Sequence, residues 1–211
     1  MKHILVYGDS MSWGLIPGTR QRLPFAFRWP GVMEIALNAQ GRDVRVIEEC
    51  LNGRRTAWDD PFKPGRKGLD GLAQRMESHS PLDLVIIMLG TNDFQAAHAN
   101  NAFLSAQGIA ALITAIRTAP IEPGLPVPPI LVVTPPPVNE PCGPNAPKFV
   151  ETKARSQGLN DAYRKVCELM DCRFFDAGQV ITVSKIDGVH VDKDQHILFG
   201  KEIAAFVAGL L

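Results

Sequence analysis

The chain predicts an α/β fold, a three-layer α/β/α sandwich built on a parallel, flavodoxin-like sheet of about five strands. Short apolar runs alternate along it with longer helix-like stretches, the pattern of parallel strands joined by crossover helices. One of those runs, LVIIML at 84–89, is apolar throughout, as a strand covered by helices on both faces must be. The length, 211 residues, fits one domain over 1–211 with a sizeable core.

In chain order, Ile4–Tyr7 reads as the first strand, closed by the turn residues Gly8, Asp9 and Ser10. A helix is expected over Trp29–Gln40, then a strand over Val44–Glu48 that runs into Leu51-Asn52-Gly53. Residues 54–67 form a polar loop ahead of a helix at Gly68–Ser78. The strand Leu84–Leu89 ends in Gly90-Thr91-Asn92-Asp93 and leads to a helix at Ala102–Thr118. Residues 119–147 hold many of the 17 prolines around a strand at Ile130–Thr134. Proline supplies no ladder or helix hydrogen bond, so this segment reads as a stiff loop, a candidate lid or subunit contact or a plain surface connection. A helix over Val150–Met170, a short strand at Arg173–Phe175 and a helix over Asp194–Leu210 complete the chain. Asp192 with Gln195 three residues on has the pattern of a capping box for that last helix.

The 22 basic and 22 acidic residues balance, so no general attraction to nucleic acid or an anionic membrane is encoded, and a small-molecule partner is expected. No apolar run is long enough to span a bilayer and none has the form of a signal-peptide core, so the chain reads as cytoplasmic. Four cysteines without a CxxC pair suggest neither a disulfide framework nor a metal site, and no cofactor motif such as GxGxxG or GxxxxGK[ST] follows a strand. No metal or cofactor is expected.

In open α/β sheets ligands sit beyond the carboxyl ends of the strands. That rule places Ser10, Gly53 and Asn92 on one rim. Acyl transfer by a serine needs a base, a group that orients the base, and donors for the oxyanion. Of five histidines (3, 79, 98, 190 and 196), His190 stands out in IDGVHVD: Asp187 lies three residues earlier across a glycine, where its carboxylate could hold the imidazole Nδ1–H while Nε2 faces away. The backbone N–H groups of Ser10 and Gly53 and the Asn92 amide are candidate oxyanion donors. Each of these residues alone has a plainer explanation as a turn or cap; their convergence does not.

The segments YGDSMSWG, ECLNGRRT, MLGTNDF and DGVH resemble, in order and across nearly the whole chain, the four blocks of the SGNH or GDSL-like hydrolases, and the surrounding strings resemble the bacterial arylesterase and acyltransferase branch. The resemblance implies Ser10 as nucleophile, His190 as base, Asp187 as its partner, and Ser10, Gly53 and Asn92 as oxyanion donors. Met11 stands where the common block has leucine, an apolar-for-apolar exchange. The resemblance further implies acyl transfer to alcohols and a homo-oligomer assembled from dimers, an octamer being one such assembly. No GxSxG elbow is present.

The expected activity is hydrolysis of short-chain, acetyl-like esters such as aryl esters through an acyl-enzyme. Trp13, Leu15, Ile16 and Phe94 are expected to line a small apolar acyl pocket, unless they simply pack beneath the loop. A carbohydrate acetylesterase on the same triad is the rival within enzymes, with Trp13 and Trp58 as the available sugar platforms. A non-catalytic flavodoxin-like module for a small ligand is the rival of another class.

Overall fold

A computed structural model describes all 211 residues. Five strands, β1 (Lys2–Gly8), β2 (Val44–Cys50), β3 (Leu84–Met88), β4 (Ile130–Thr134) and β5 (Arg173–Asp176), form one all-parallel sheet in the order β2-β1-β3-β4-β5. The chain steps from β1 to one side and then crosses back to the other, so the topological switch lies beside β1, where the strand-end rule puts a ligand. Gly8 pairs with Cys50 on one side and Met88 on the other. The turns that follow these three strands therefore start level with one another.

Alternation along the strands divides the core. Leu5, Tyr7, Val85 and Ile87 face one side, against α3 (Leu72–His79), α4 (Ala102–Arg117) and α6 (Leu159–Leu169). Ile4, Val6, Leu84 and Ile86 face the other, against α2 (Trp29–Ala39) and α7 (Lys193–Ala208). Two one-turn helices, α1 (Ser10–Trp13) and α5 (Thr152–Arg155), sit in the loops. No helix is long and apolar enough to cross a membrane.

Three local expectations change. The helix expected over Val150–Met170 is two helices, because Gly158 at φ 81° is left-handed and cannot lie inside a helix. The helix expected from Gly68 begins at Leu72, since Gly71 is also left-handed and the backbone carbonyls of Arg55 and Thr56 press against Gly68. Asp192 caps α7 through its backbone position alone, and Gln195 accepts a hydrogen bond from the Thr182 N–H instead of closing a capping box.

Candidate active site

β1 ends at Gly8 and the chain turns at once into α1. Asp9 is its N-cap, accepting from the Met11 N–H at 2.9 Å, and this places Ser10 in the first helical position. Gly14, left-handed at φ 82°, ends the turn.

His190 comes to Ser10 from the opposite end of the chain. The Ser10 hydroxyl donates to His190 Nε2 at 3.1 Å, and His190 Nδ1–H donates to Asp187 Oδ2 at 2.7 Å. Three further donors hold Asp187: the Val189 N–H at 3.0 Å, the His190 N–H at 2.9 Å and, from the loop after α1, the Gly18 N–H at 3.2 Å. Burial works to raise the Asp187 carboxyl, but the hydrogen bonds from the His190 ring and from the two backbone N–H groups outweigh it, so the group stays well below the usual carboxylate range. Gly188, at φ 70°, makes the turn, and the carbonyl of Asn139 lies where its side chain would be. The Asn139 N–H donates to Gly188 and the Cys142 N–H to the Asp187 carbonyl. The proline-rich segment thus buttresses the Asp187–His190 loop from within the same chain.

The second turn brings Gly53, at φ 83°. Neither its backbone N–H nor that of Ser10 has a partner, and both residues line a cavity of about 720 Å³ together with Asn92 and His190. Arg54 ties this turn to the first: its guanidinium lies 3.9 Å over the Tyr7 ring and donates to the Gly8 carbonyl at 3.1 Å.

The third turn carries Asn92, whose environment shows residues the sequence did not single out. Its amide nitrogen donates to Asp9 Oδ2 at 2.9 Å and to the Arg54 carbonyl at 3.1 Å, while its oxygen accepts from Gln95 Nε2 at 2.7 Å. Gln95 is held in turn by Arg55, which donates to it at 2.9 Å. The next residue, Asp93, is fully buried and accepts from the Thr56 N–H, the Thr56 hydroxyl and the Ser105 hydroxyl at 2.9, 2.7 and 2.6 Å, joining the second turn to the third. Burial raises the Asp9 carboxyl to about 6 against the opposing pull of the Met11 N–H, His190, Arg54 and Asn92. Only the G-D-S string drew attention to Asp9; nothing in the sequence marked Gln95 or Arg55.

The expected acyl pocket is largely corrected. Leu15 does line the cavity, but Trp13, Ile16 and Phe94 do not. Trp13 is stacked under Arg22, whose guanidinium lies 4.9 Å from its ring. Ile16 is committed to the turn over 15–22, where its N–H donates to the Gln21 carbonyl. Phe94 is buried among the side chains of α4 and α6. The apolar side chains that do line the cavity are Leu15, Phe149 and Val189, with Phe62, Ala96 and Ala97. Trp58 is likewise outside the cavity lining. Loops 54–67 and 119–147 supply much of the rest, through Asp60, Pro61, Phe62 and Lys63 and through Asn145 and Pro147.

A parallel α/β/α sheet with Ser, Gly, Asn and Asp-x-x-His turns meeting at one rim is the arrangement of an SGNH-type hydrolase. The chain belongs to the GDSL-like lipase/acylhydrolase family, whose model matches residues 6–197. Among solved structures it is similar to the inhibitor-bound M. smegmatis aryl esterase and to Est24, a carbohydrate acetylesterase from Sinorhizobium meliloti, each with a TM-score of 0.94 and 35% identity over 100% of both chains. It is also 37% identical over 90 residues to an arylesterase of Vibrio mimicus, a match that spans 43% of this chain and 37% of that relative.

Proposed function

We propose that this protein is a serine esterase that hydrolyses short-chain carboxylic esters, aryl esters among them, through an acyl-enzyme and can also pass the acyl group to an alcohol. The observation that carries this is the unbroken chain from Ser10 Oγ through His190 to Asp187, opening on a cavity beside two unpartnered backbone N–H groups.

In this mechanism His190 Nε2 takes the Ser10 proton as Oγ bonds to the ester carbonyl carbon. Asp187 holds the ring in the tautomer with Nδ1 protonated and stabilises the imidazolium that forms. The oxyanion takes hydrogen bonds from the Ser10 and Gly53 N–H groups and from Asn92, whose longer contact to the Arg54 carbonyl is the one it competes with. The C–O bond to the alcohol then breaks and the alcohol leaves with the proton from His190. Water, or a second alcohol, repeats the sequence on the acyl-enzyme and frees Ser10.

A fluorophosphonate tests the reading: it labels Ser10 stoichiometrically, and Ser10→Ala abolishes both labelling and release of 4-nitrophenol from 4-nitrophenyl acetate. Absence of labelling in the parent favours the non-catalytic binding module. A carbohydrate acetylesterase is the second reading, favoured by the similarity to Est24 and by the polar side chains around the cavity. Faster turnover of acetylated sugars than of aryl acetates decides for it.

A further inference from the structure

The chain as a whole carries no net charge, yet the mouth of the Ser10 cavity is cationic. Arg20, Lys63 and Lys148 line it from three separate loops, after β1, after β2 and after β4, and all three are exposed. None of them enters any of the protein's ion pairs. The one acidic side chain in the lining, Asp60, is already in use: Arg55 lies 3.4 Å from its Oδ2 and the Phe62 N–H donates to its Oδ1 at 2.9 Å. Asp9 and Asp187 are buried and hydrogen-bonded below the serine, and neither lines the cavity. The Lys63 ammonium feels its neighbours: partial desolvation and then Arg66, Arg20 and Lys148 push it below its ordinary value, against the pull of Asp60.

Three like charges gathered on independent loops repel one another, and the single carboxylate near them, Asp60, is shared with Arg55 and leaves a net positive mouth. A bound anion relieves that repulsion, and the field of the cluster draws anions toward the cavity before contact. During the reaction the acyl group stays on Ser10 while the alcohol departs through the mouth, past these side chains. We infer that the preferred substrate is an ester whose alcohol half carries an anionic substituent, recognised by Arg20, Lys63 and Lys148. The inference rests on the esterase reading and deepens it.

The experiment compares 4-nitrophenyl acetate with 3-carboxy-4-nitrophenyl acetate, each kcat/KM divided by the ester's hydroxide-catalysed rate constant. At low ionic strength the carboxylated ester is favoured about tenfold. That advantage shrinks as sodium chloride is added, because exposed charges are screened. Arg20→Gln, Lys63→Gln and Lys148→Gln combined bring the ratio to about one, whereas Lys165→Gln with Lys201→Gln, on the distant surfaces of α6 and α7, leaves it as it was. Equal or slower turnover of the carboxylated ester overturns the inference, as does an advantage that neither salt nor the triple variant reduces. The salt arm needs only the parent protein, so it decides even if the triple variant folds poorly. Hydrolysis of neither ester defeats the esterase reading itself, an outcome distinct from hydrolysis of both without preference.

Discussion

At the scale of residues, the Asn92 amide can face only one way. Gln95 donates to its oxygen, and Asp9 with the Arg54 carbonyl accepts from its nitrogen, so a flipped amide would set acceptors against acceptors and a donor against a donor. On the proposed mechanism Asn92→Ala lowers kcat about 100- to 1000-fold, the usual cost of one oxyanion donor. Gln95→Glu probes the orientation separately. A carboxylate still serves Arg55 but presents a lone pair to the Asn92 oxygen, which favours the flipped amide and withdraws the N–H from the oxyanion. The expected loss in kcat approaches that of Asn92→Ala, with KM little changed, and Gln95→Met falls between the parent and Gln95→Glu. Steady-state kinetics on one aryl acetate checks the order, and a Gln95→Glu enzyme as fast as the parent shows that the amide needs no such lock.

At the scale of elements, the strand ends explain why these residues meet, and Gly90 is the tightest of them. It follows β3 at φ 130°, and a Cβ there would lie 2.3 Å from the Tyr163 hydroxyl of α6, which hydrogen-bonds to Ser105 at 2.7 Å. Gly90→Ala therefore combines backbone strain with a collision, together about 3 kcal/mol, and lowers Tm by roughly 6–12 °C in a chain of this length. Gly41→Ala, at φ 78° with open space around it, costs about 1 kcal/mol and is the control for strain alone. Adding Tyr163→Phe to Gly90→Ala removes the colliding oxygen and restores part of the loss; a double variant whose penalties simply add argues against the collision. The five strands and the Ser10, Asp187 and His190 turns were legible in the sequence, because apolar runs and short motifs are local signals, whereas the strand order that puts the switch beside β1 is set by pairing between distant segments. Boundaries at Gly71 and Gly158 were missed because a left-handed glycine interrupts a helix without changing its apolar spacing. The pocket lining was missed for a different reason. Trp13 and Phe94 lie within three residues of Ser10 and Asn92 in sequence but turn toward Arg22 and the core, and which way a side chain turns is settled by packing from distant elements.

At the scale of the whole molecule, the layer of α2 and α7 behind the sheet contains a histidine that sets how the fold responds to acid. His196, fully covered on α7, accepts from the Trp29 N–H at the start of α2 through Nδ1 at 3.3 Å, and its Nε2 is buried without a partner. A second proton would have to enter at Nδ1, where the Trp29 N–H already points, in a setting that cannot solvate the charge. Burial first, then the electrostatic influence of His190 and Arg28, lowers its pKa from 6.5 to about 4. Between those values the unfolded chain binds a proton that the folded chain refuses, so stability is intact above about pH 6.5 and falls as pH drops toward 4, by about 3 kcal/mol in all. Asp9, raised from 3.8 to about 6, acts in the opposite sense across nearly the same range, so the parent's own pH profile mixes the two. The difference between parent and His196→Gln separates them, since the glutamine can accept from the Trp29 N–H but does not titrate there. Denaturant unfolding at pH 7.0, 5.5 and 4.0 should show the variant gaining on the parent by about 3 kcal/mol as pH falls. Because α7 begins just after His190, the same acid loosening frees the His190 loop, and esterase activity should survive to lower pH in His196→Gln than in the parent. A variant that loses stability with acid as steeply as the parent would show that the charge on His196 is not what the α2–α7 layer resists.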